Sequence, residues 1–144
     1  MDDFLLFIGK PGVYQTTRPK TGYKKIRCFN YRDSLPLNFS EIDAIAELEI
    51  PVDSTIVKTR TSKLRTNQAI VKSIKFICDD SVVDESFVDE SFVCYSVWDR
   101  SFIYRTGKKV SPKNEGLNLD PDNSCGSGIN FFNSKKEAIN FRFT

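Results

Sequence analysis

The amino-acid sequence predicts an α+β fold dominated by antiparallel strands, arranged either as a sheet or as a partly open barrel. Apolar and β-branched residues recur at strand spacing along much of the chain, whereas a complete helix-start signature occurs once, near the C-terminus. No Pro-, Gly- or Ser-rich linker divides the 144 residues. Because one hydrophobic core typically serves roughly 100–200 residues, we expect a single domain over residues 1–144.

Seven segments carry the strand pattern. In residues 44–50 apolar and acidic side chains alternate before the segment stops at Pro51, as expected of a half-buried strand. The other segments are rich in β-branched and aromatic residues, which favour strands. They span residues 54–59, 68–78, 92–97, 102–104, 108–110 and 129–132.

Two helical elements are predicted. Ser134 and Glu137 have the spacing of a capping box, in which the two side chains satisfy amides that the first helical turn leaves unpaired. The mostly apolar residues 138–141 follow, which indicates one short C-terminal helix. A shorter helical turn is predicted to begin at Ser40, where two acidic residues would lie close to the positive end of its dipole.

The composition excludes a large part of enzyme chemistry. The chain contains no histidine, so it has no Ser-His or Cys-His nucleophile pair, no histidine-ligated metal and no imidazole base. Its N-terminus reads Met1-Asp2-Asp3 and continues with five apolar residues, whereas a signal peptide has a basic start and a longer apolar run. We therefore expect neither secretion nor membrane association.

Cysteine spacing argues against a metal site. Cys28, Cys78, Cys94 and Cys125 form no Cys-x-x-Cys pair, which zinc ribbons and thioredoxin-like motifs require. Without a secretory signal, four reduced thiols packed as small hydrophobic groups are the natural interpretation. We expect no metal and no cofactor.

Charge is distributed unevenly along the chain. Residues 1–75 hold 13 basic and 8 acidic side chains, whereas residues 76–144 hold 8 basic and 11 acidic ones. The basic segments 10–32 and 58–75 contain aromatic residues or lie beside them, an arrangement that suits single-stranded nucleic acid. The candidate binding residues in the second segment include Lys58, Arg60, Lys63 and Arg65. The acidic residues 79–90 could instead neutralise this segment within the fold.

The turn Cys125-Gly126-Ser127-Gly128 is the sharpest local motif. Its small residues could present backbone amides to an anion. The simpler interpretation, which we favour, is a tight turn that feeds a core strand containing Phe131.

Two further sets of residues are candidate sites. Glu47 and Glu49 share one strand face and could form a histidine-free active site with Cys125, as in an ADP-ribosyltransferase-like enzyme, although two solvent-facing glutamates are commoner. Trp98 and Arg100 could form an exposed binding patch, or the tryptophan could lie in the core.

The C-terminal third resembles an uncharacterised family of domains found in large DNA viruses and some bacteria, often beside pentapeptide repeats. The resemblance rests on Tyr104-x-x-Gly107, on the segment 125–132, and on Glu137-Ala138 in the predicted helix. It extends over about residues 44–141, in which residues 46–51 resemble an earlier strand of the family and residues 63–71 resemble its basic strand. The family usually carries histidine where this chain has Asn130, and an amide cannot act as a general base at neutral pH.

The resemblance implies a viral protein without an established reaction. We expect a non-enzymatic protein-binding or structural module of a large DNA virus, either a minor virion component or a factor that engages a host protein. Its partners would be viral or host proteins, or a second copy of the chain, with nucleic acid as the alternative. The expected location is the host cytoplasm or the virion, and Asn130 is a candidate binding residue.

Overall fold

The computed structural model describes residues 9–30, 40–83, 92–96, 102–112, 116–124 and 126–141. Within this part of the chain lie nine strands and one helix. In chain order they are β1 (Gly12–Gln15), β2 (Lys20–Asn30), β3 (Ser40–Ile50), β4 (Thr55–Lys58), β5 (Leu64–Thr66), β6 (Ala69–Phe76), β7 (Phe92–Tyr95), β8 (Lys109–Val110), β9 (Ile129–Phe131) and α1 (Lys135–Asn140).

The strands form two antiparallel sheets. The first has the order β1-β4-β5-β9, and the second has the order β7-β2-β3-β6-β8. Directly after β9, the backbone of Phe132 exchanges two hydrogen bonds with Tyr23 of β2, at 2.8 and 2.9 Å. These two hydrogen bonds link the first sheet to the second. The fold contains one strongly curled half-barrel sheet. The predicted fold class is confirmed.

The longest pairing joins β2 to β3 over eleven residue pairs, from Lys20↔Ile50 to Asn30↔Ser40. The helical turn predicted at Ser40 is therefore wrong, because residues 40–43 continue β3 as a strand. Pairing along a full-length neighbour outweighs the weak local preference of one serine and two acidic residues.

Two strands, β1 and β2, were not among the predicted ones, and β5 was expected only from the family resemblance of residues 63–71. In β2 the inward positions include Gly22 and Lys24 as well as Ile26 and Cys28, so the apolar alternation is interrupted. Conversely, residues 102–104, predicted as a strand, form only a single bridge between Ile103 and Tyr95.

The main core lies inside the curled sheets. It combines buried side chains of β2, β3, β6 and β7 with those of β4, β5 and β9. Its largest fully buried apolar members are Tyr104, Phe131, Ile26, Leu48, Ile50, Ile56, Leu64, Ile74 and Ile129. A smaller cluster on another face joins Ile45, Phe132 and Ala138, which packs α1 against the second sheet.

The predicted helix start is confirmed, with one difference from a complete capping box: the Glu137 carboxylate accepts the Ser134 hydroxyl instead of the Ser134 amide. The Ser134 hydroxyl accepts the amide N–H of Glu137 at 3.1 Å and donates to the Glu137 carboxylate at 3.1 Å. The described part of the chain contains no helix that is long and apolar enough to cross a membrane.

The expectation of four reduced thiols is wrong. Cys28 of β2 and Cys94 of β7 lie directly opposite each other in the strand register and form a disulfide. Cys78 is a free thiol and is exposed, so it is not packed as a small hydrophobic group either. Cys125 lies outside the described residues. Strand register, which the spacing of cysteines in sequence does not reveal, brings the first pair together.

Candidate binding site

The candidate site lies at the seam, which we define as the place where β2 meets β9 and Phe132. At Tyr23 and Phe132 these two segments of the chain are paired through backbone hydrogen bonds. One residue further along β2, the pairing is continued by a side chain: the Lys24 ammonium donates to the carbonyl oxygen of Asn130 at 2.9 Å. Lys24 thus closes the half-barrel where the backbone ladder ends.

Lys24 is the most electrostatically perturbed side chain at the seam. It is 8% exposed, and this burial lowers its pKa from 10.5 to about 7, with a smaller contribution from the nearby positive charge of Lys63. Near neutral pH the amine is therefore protonated in only part of the molecules. Groups with such a pKa serve in proton transfer or in binding, although burial at a purely structural position lowers a lysine pKa in the same way.

Asn130 lies at the centre of the seam. Its neighbours Ile129 and Phe131 are buried in the core, so by strand alternation its side chain points to the opposite face. Its Cα partner is Arg65 of β5. The side-chain oxygen of Asn130 is buried and has no hydrogen-bond partner in the described part of the chain. A buried acceptor of this kind is costly unless a donor reaches it.

Arg65 is completely buried, although the sequence made it a candidate for an external ligand. Its guanidinium donates to the carbonyl oxygens of Asn118, Asp120 and Asn123. It also donates to the side-chain oxygen of Asn118 at 3.1 Å. Arg65 therefore holds the polar loop 116–124 against β5, and its donors point into the protein.

The other three predicted basic residues also bond within the chain. The Lys58 ammonium donates to the carbonyl oxygens of Thr59 and Thr61, and burial lowers its pKa while the charge of Glu137 opposes this shift. Arg60 forms an exposed ion pair with Asp122. The Lys58 bonds therefore close the turn of the β4–β5 hairpin itself, and the Arg60 pair joins this turn to the loop 116–124.

Lys63 has an aromatic neighbour. Its ammonium lies 5.0 Å from the ring centroid of Phe141, at the end of α1. Cation–π contacts at this distance stabilise by about 0.5–1 kcal/mol at exposed sites. Lys63 therefore helps to fix the helix end over the seam.

The glycine turn closes over Arg65. A side chain at Gly126 would approach Asn118 Cβ to 2.7 Å and Arg65 Cζ to 3.0 Å. Gly128 has a φ of +138°, and a side chain there would come within 2.7 Å of Leu117. Close packing therefore explains both glycines, which supports the tight-turn interpretation, and Ser127 accepts the Asn118 amide through its carbonyl. Cys125 itself lies outside the described residues.

The structure does not complete the other predicted sites. Glu47 and Glu49 lie on the sheet face opposite the main core, and Glu49 is 3.9 Å from the Lys72 ammonium. Their proposed partner Cys125, and both Trp98 and Arg100, lie outside the described residues. The active-site hypothesis and the exposed patch therefore stay predictions.

Sequence reasoning did not single out Lys24. The available signal was its position between Gly22 and Ile26, which share its strand face. This shared face is evident only if residues 20–30 form a strand. The charged residues of the segment instead favoured the prediction of a solvated basic cluster.

Comparison with known proteins gives consistent matches. The model of a family described as "Family of unknown function (DUF5758)" matches residues 4–138. Uncharacterized protein L223 of Acanthamoeba polyphaga mimivirus is 37% identical over 147 residues, which cover 92% of this chain and 89% of the relative. Uncharacterized protein L812 of the same virus is 31% identical over 137 residues, covering 91% and 86%.

A third protein of that virus, Uncharacterized protein L227, is 38% identical over 100 residues, covering 67% of this chain and 58% of the relative. No solved structure matches the chain. The match over residues 4–138 agrees with the resemblance read from the C-terminal third and extends it toward the N-terminus. The chain therefore belongs to this family of unknown function, which is represented in a giant virus.

Proposed function

We propose that this chain is a non-enzymatic binding module and a component of the virus particle. The observation that carries the proposal is the disulfide between Cys28 and Cys94. Disulfides persist in oxidising surroundings, whereas the cytosol keeps thiols reduced. Of the two expected locations, the released particle therefore suits the disulfide better than the host cytoplasm.

The use of the basic side chains supports a structural or protein-binding role. Arg65 and Lys58 bond to backbone carbonyls, and Arg60 pairs with a carboxylate. Donors that are engaged inside the fold contribute less to phosphate binding than free ones would. Binding of single-stranded nucleic acid stays an alternative, which a mobility-shift assay at low salt with DNA and RNA would test.

The proposal is tested on particles of the virus that encodes the chain. Free thiols are blocked with one alkylating reagent in intact particles, and thiols released by reduction are labelled with a second. We expect the chain to be present, with Cys28 and Cys94 carrying the second label. The exposed Cys78 serves as internal control and should carry the first label.

Two results would overturn the proposal. The chain could be missing from purified particles while it is abundant in infected cells. Alternatively, Cys28 and Cys94 could carry the first label in particles, which would show that the disulfide does not exist where the protein is proposed to act.

A further inference from the structure

Strand β1 is the outermost strand of the first sheet, and within the described part of the chain no strand pairs with its second edge. Its residue pairs with β4 run from Gly12↔Lys58 to Gln15↔Thr55. Just beyond the strand, the amide of Thr16 donates to the carbonyl of Ser54 at 2.9 Å, so Thr16 faces β4. Successive backbone groups of a strand point to opposite sides, and the N–H and C=O groups of Val13 and Gln15 therefore point away from β4. The structure gives these outward groups no partner among the described residues.

At both edges of the second sheet, by contrast, the outer strand has further backbone partners. Beyond β7, the amide of Tyr104 donates to the carbonyl of Cys94, and the amide of Ser96 donates to Phe102. Beyond β6, the strand is covered by β8 and by a bridge between Lys75 and Val82. Open edges invite pairing with another chain, and folds usually cover them. The contrast singles out β1.

Among the residues that the structure describes, the exposed charges at the ends of β1 are two cations and one carboxylate. Neither β1 nor its sheet neighbour β4 contains an acidic residue, and the carboxylate belongs to Asp53, which precedes β4 and donates its amide to the Thr16 carbonyl. Exposed cations flank both ends of the strand, Lys10 before it and Arg18 after it. On its outer side β1 also presents Val13, which is 47% exposed and offers an apolar contact.

We infer that β1 is a docking edge to which a partner protein adds an extended, acidic strand. Val13 and Gln15 together offer two donors and two acceptors at strand spacing, which an amide backbone can match and a sugar–phosphate backbone cannot. The exposed cations at the two ends of β1, Lys10 and Arg18, favour carboxylates at the ends of the added strand. A second copy pairing through β1 about Tyr14 would place Lys10 opposite Arg18 of that copy, so like charges oppose self-association.

Gln15→Pro tests the backbone contact. Proline removes the outward N–H of residue 15, whereas the amides of Tyr14 and Thr16, which face β4, are untouched. Gln15→Thr is the matched control, because it also removes the glutamine side chain but keeps the N–H. Circular dichroism and thermal unfolding establish that both variants fold.

The probe is a labelled peptide of alternating threonine and valine with two glutamates at each end, followed by fluorescence anisotropy. We expect the wild-type chain and Gln15→Thr to bind it alike, and Gln15→Pro to bind about tenfold more weakly, as expected for one lost hydrogen bond. A version with lysines in place of the glutamates should bind at least about tenfold more weakly than the acidic peptide, because like charges would meet.

Absence of binding to the acidic peptide, equal binding of the lysine peptide, or an unchanged affinity in Gln15→Pro would each overturn the inference. So would displacement of the peptide by oligo(dT), since that result assigns the edge to nucleic acid. The inference rests on the proposed function only in requiring a protein partner. If the disulfide is present in particles but the acidic peptide does not bind, the proposed function stands and the docking edge is refuted.

Discussion

Lys24 occupies a position in β2 where its neighbours on the same face are Gly22 and the buried Ile26. A lysine is tolerated there because its ammonium reaches the Asn130 carbonyl, which has no backbone donor from β2 at that point. Burial nevertheless penalises the charged form, and the positive charge of Lys63 adds to the penalty. The seam is therefore closed by a group whose charge depends on pH near neutrality.

The pKa of Lys24 predicts how stability depends on pH. In the folded state the pKa is about 7, and in the unfolded chain it is 10.5. Between these values the unfolded state binds more protons, so the free energy of unfolding should rise with pH, by at most about 1.4 kcal/mol per pH unit. Below pH 7 both states are protonated, and this contribution stays constant.

Lys24→Met should remove that rise and should be more stable than the wild-type chain at pH 7, despite losing a hydrogen bond worth about 1 kcal/mol. Urea unfolding at pH 6, 7, 8 and 9 measures both effects. Lys109→Met, an exposed lysine of β8, is the control and should keep the wild-type slope. Parallel pH curves for the wild-type chain and Lys24→Met would contradict the prediction.

Arg65 is the second residue whose role the structure defines. We expect Arg65→Ala to lower the free energy of unfolding by about 3 kcal/mol or more, because three carbonyls and one side-chain amide lose a charged donor inside the protein. Arg60→Ala is the matched control. Its ion pair with Asp122 is exposed, so the change should stay within about 0.5 kcal/mol. Equal effects of the two substitutions in urea unfolding would show that the loop does not depend on Arg65.

At the scale of elements, β2 is the strand on which the fold depends most. It pairs with β3 along its full length, with β7 at one end, and with Phe132 at the other. The curled sheet can close there only because Gly22 leaves room for the ring of Phe131, which a methyl group would overlap. A single small residue therefore permits the close approach of β2 and β9.

Gly22→Ala should destabilise the chain by about 1–3 kcal/mol through overpacking against Phe131. The expected signature is coupling: Phe131→Leu in the same chain should recover part of the loss, as a double-mutant cycle in urea unfolding would show. Thr21→Ala, at an exposed position of the same strand, serves as control for strand propensity. If the effects of Gly22→Ala and Phe131→Leu on the free energy of unfolding are additive, a clash with Phe131 is not the cause of the destabilisation.

At the scale of the molecule, the disulfide joins strands that are far apart in the chain. Cys28 and Cys94 are separated by 66 residues, and closing a loop of this size is expected to stabilise the fold by about 4 kcal/mol through the entropy of the unfolded chain. Because the bond joins β7 to β2, it fixes one side of the second sheet.

Reduction should therefore lower the free energy of unfolding by about 4 kcal/mol, measured by urea unfolding with and without a phosphine reductant. The double variant Cys28→Ala/Cys94→Ala should match the reduced wild-type chain and should not respond to reductant. Cys78→Ser should behave like the oxidised wild-type chain, because that thiol is exposed and free. An unfolding curve that is the same with and without the reductant would contradict the presence of the disulfide.

Local patterns were sufficient for several features. The alternation at the end of residues 44–50 and the helix start at Ser134 both depend on residues close in sequence, and the strand and the helix both form in the structure. The alternation signal failed for β2, where glycine and lysine occupy inward positions, and at Ser40, where pairing with β2 decides the conformation. Of the candidate site, the sequence indicated Asn130 and Arg65 but not the contact between Asn130 and Lys24.

The sequence by itself determined that these 144 residues contain no histidine, that the fold is mainly antiparallel with one capped helix, and which family the chain resembles. Only the tertiary structure decided that Cys28 bonds to Cys94, that Arg65 points inward, and that β1 has no second strand partner among the described residues. The physical reason is distance along the chain. Composition and short patterns act between neighbouring residues, whereas these three features depend on how strands tens of residues apart align in register.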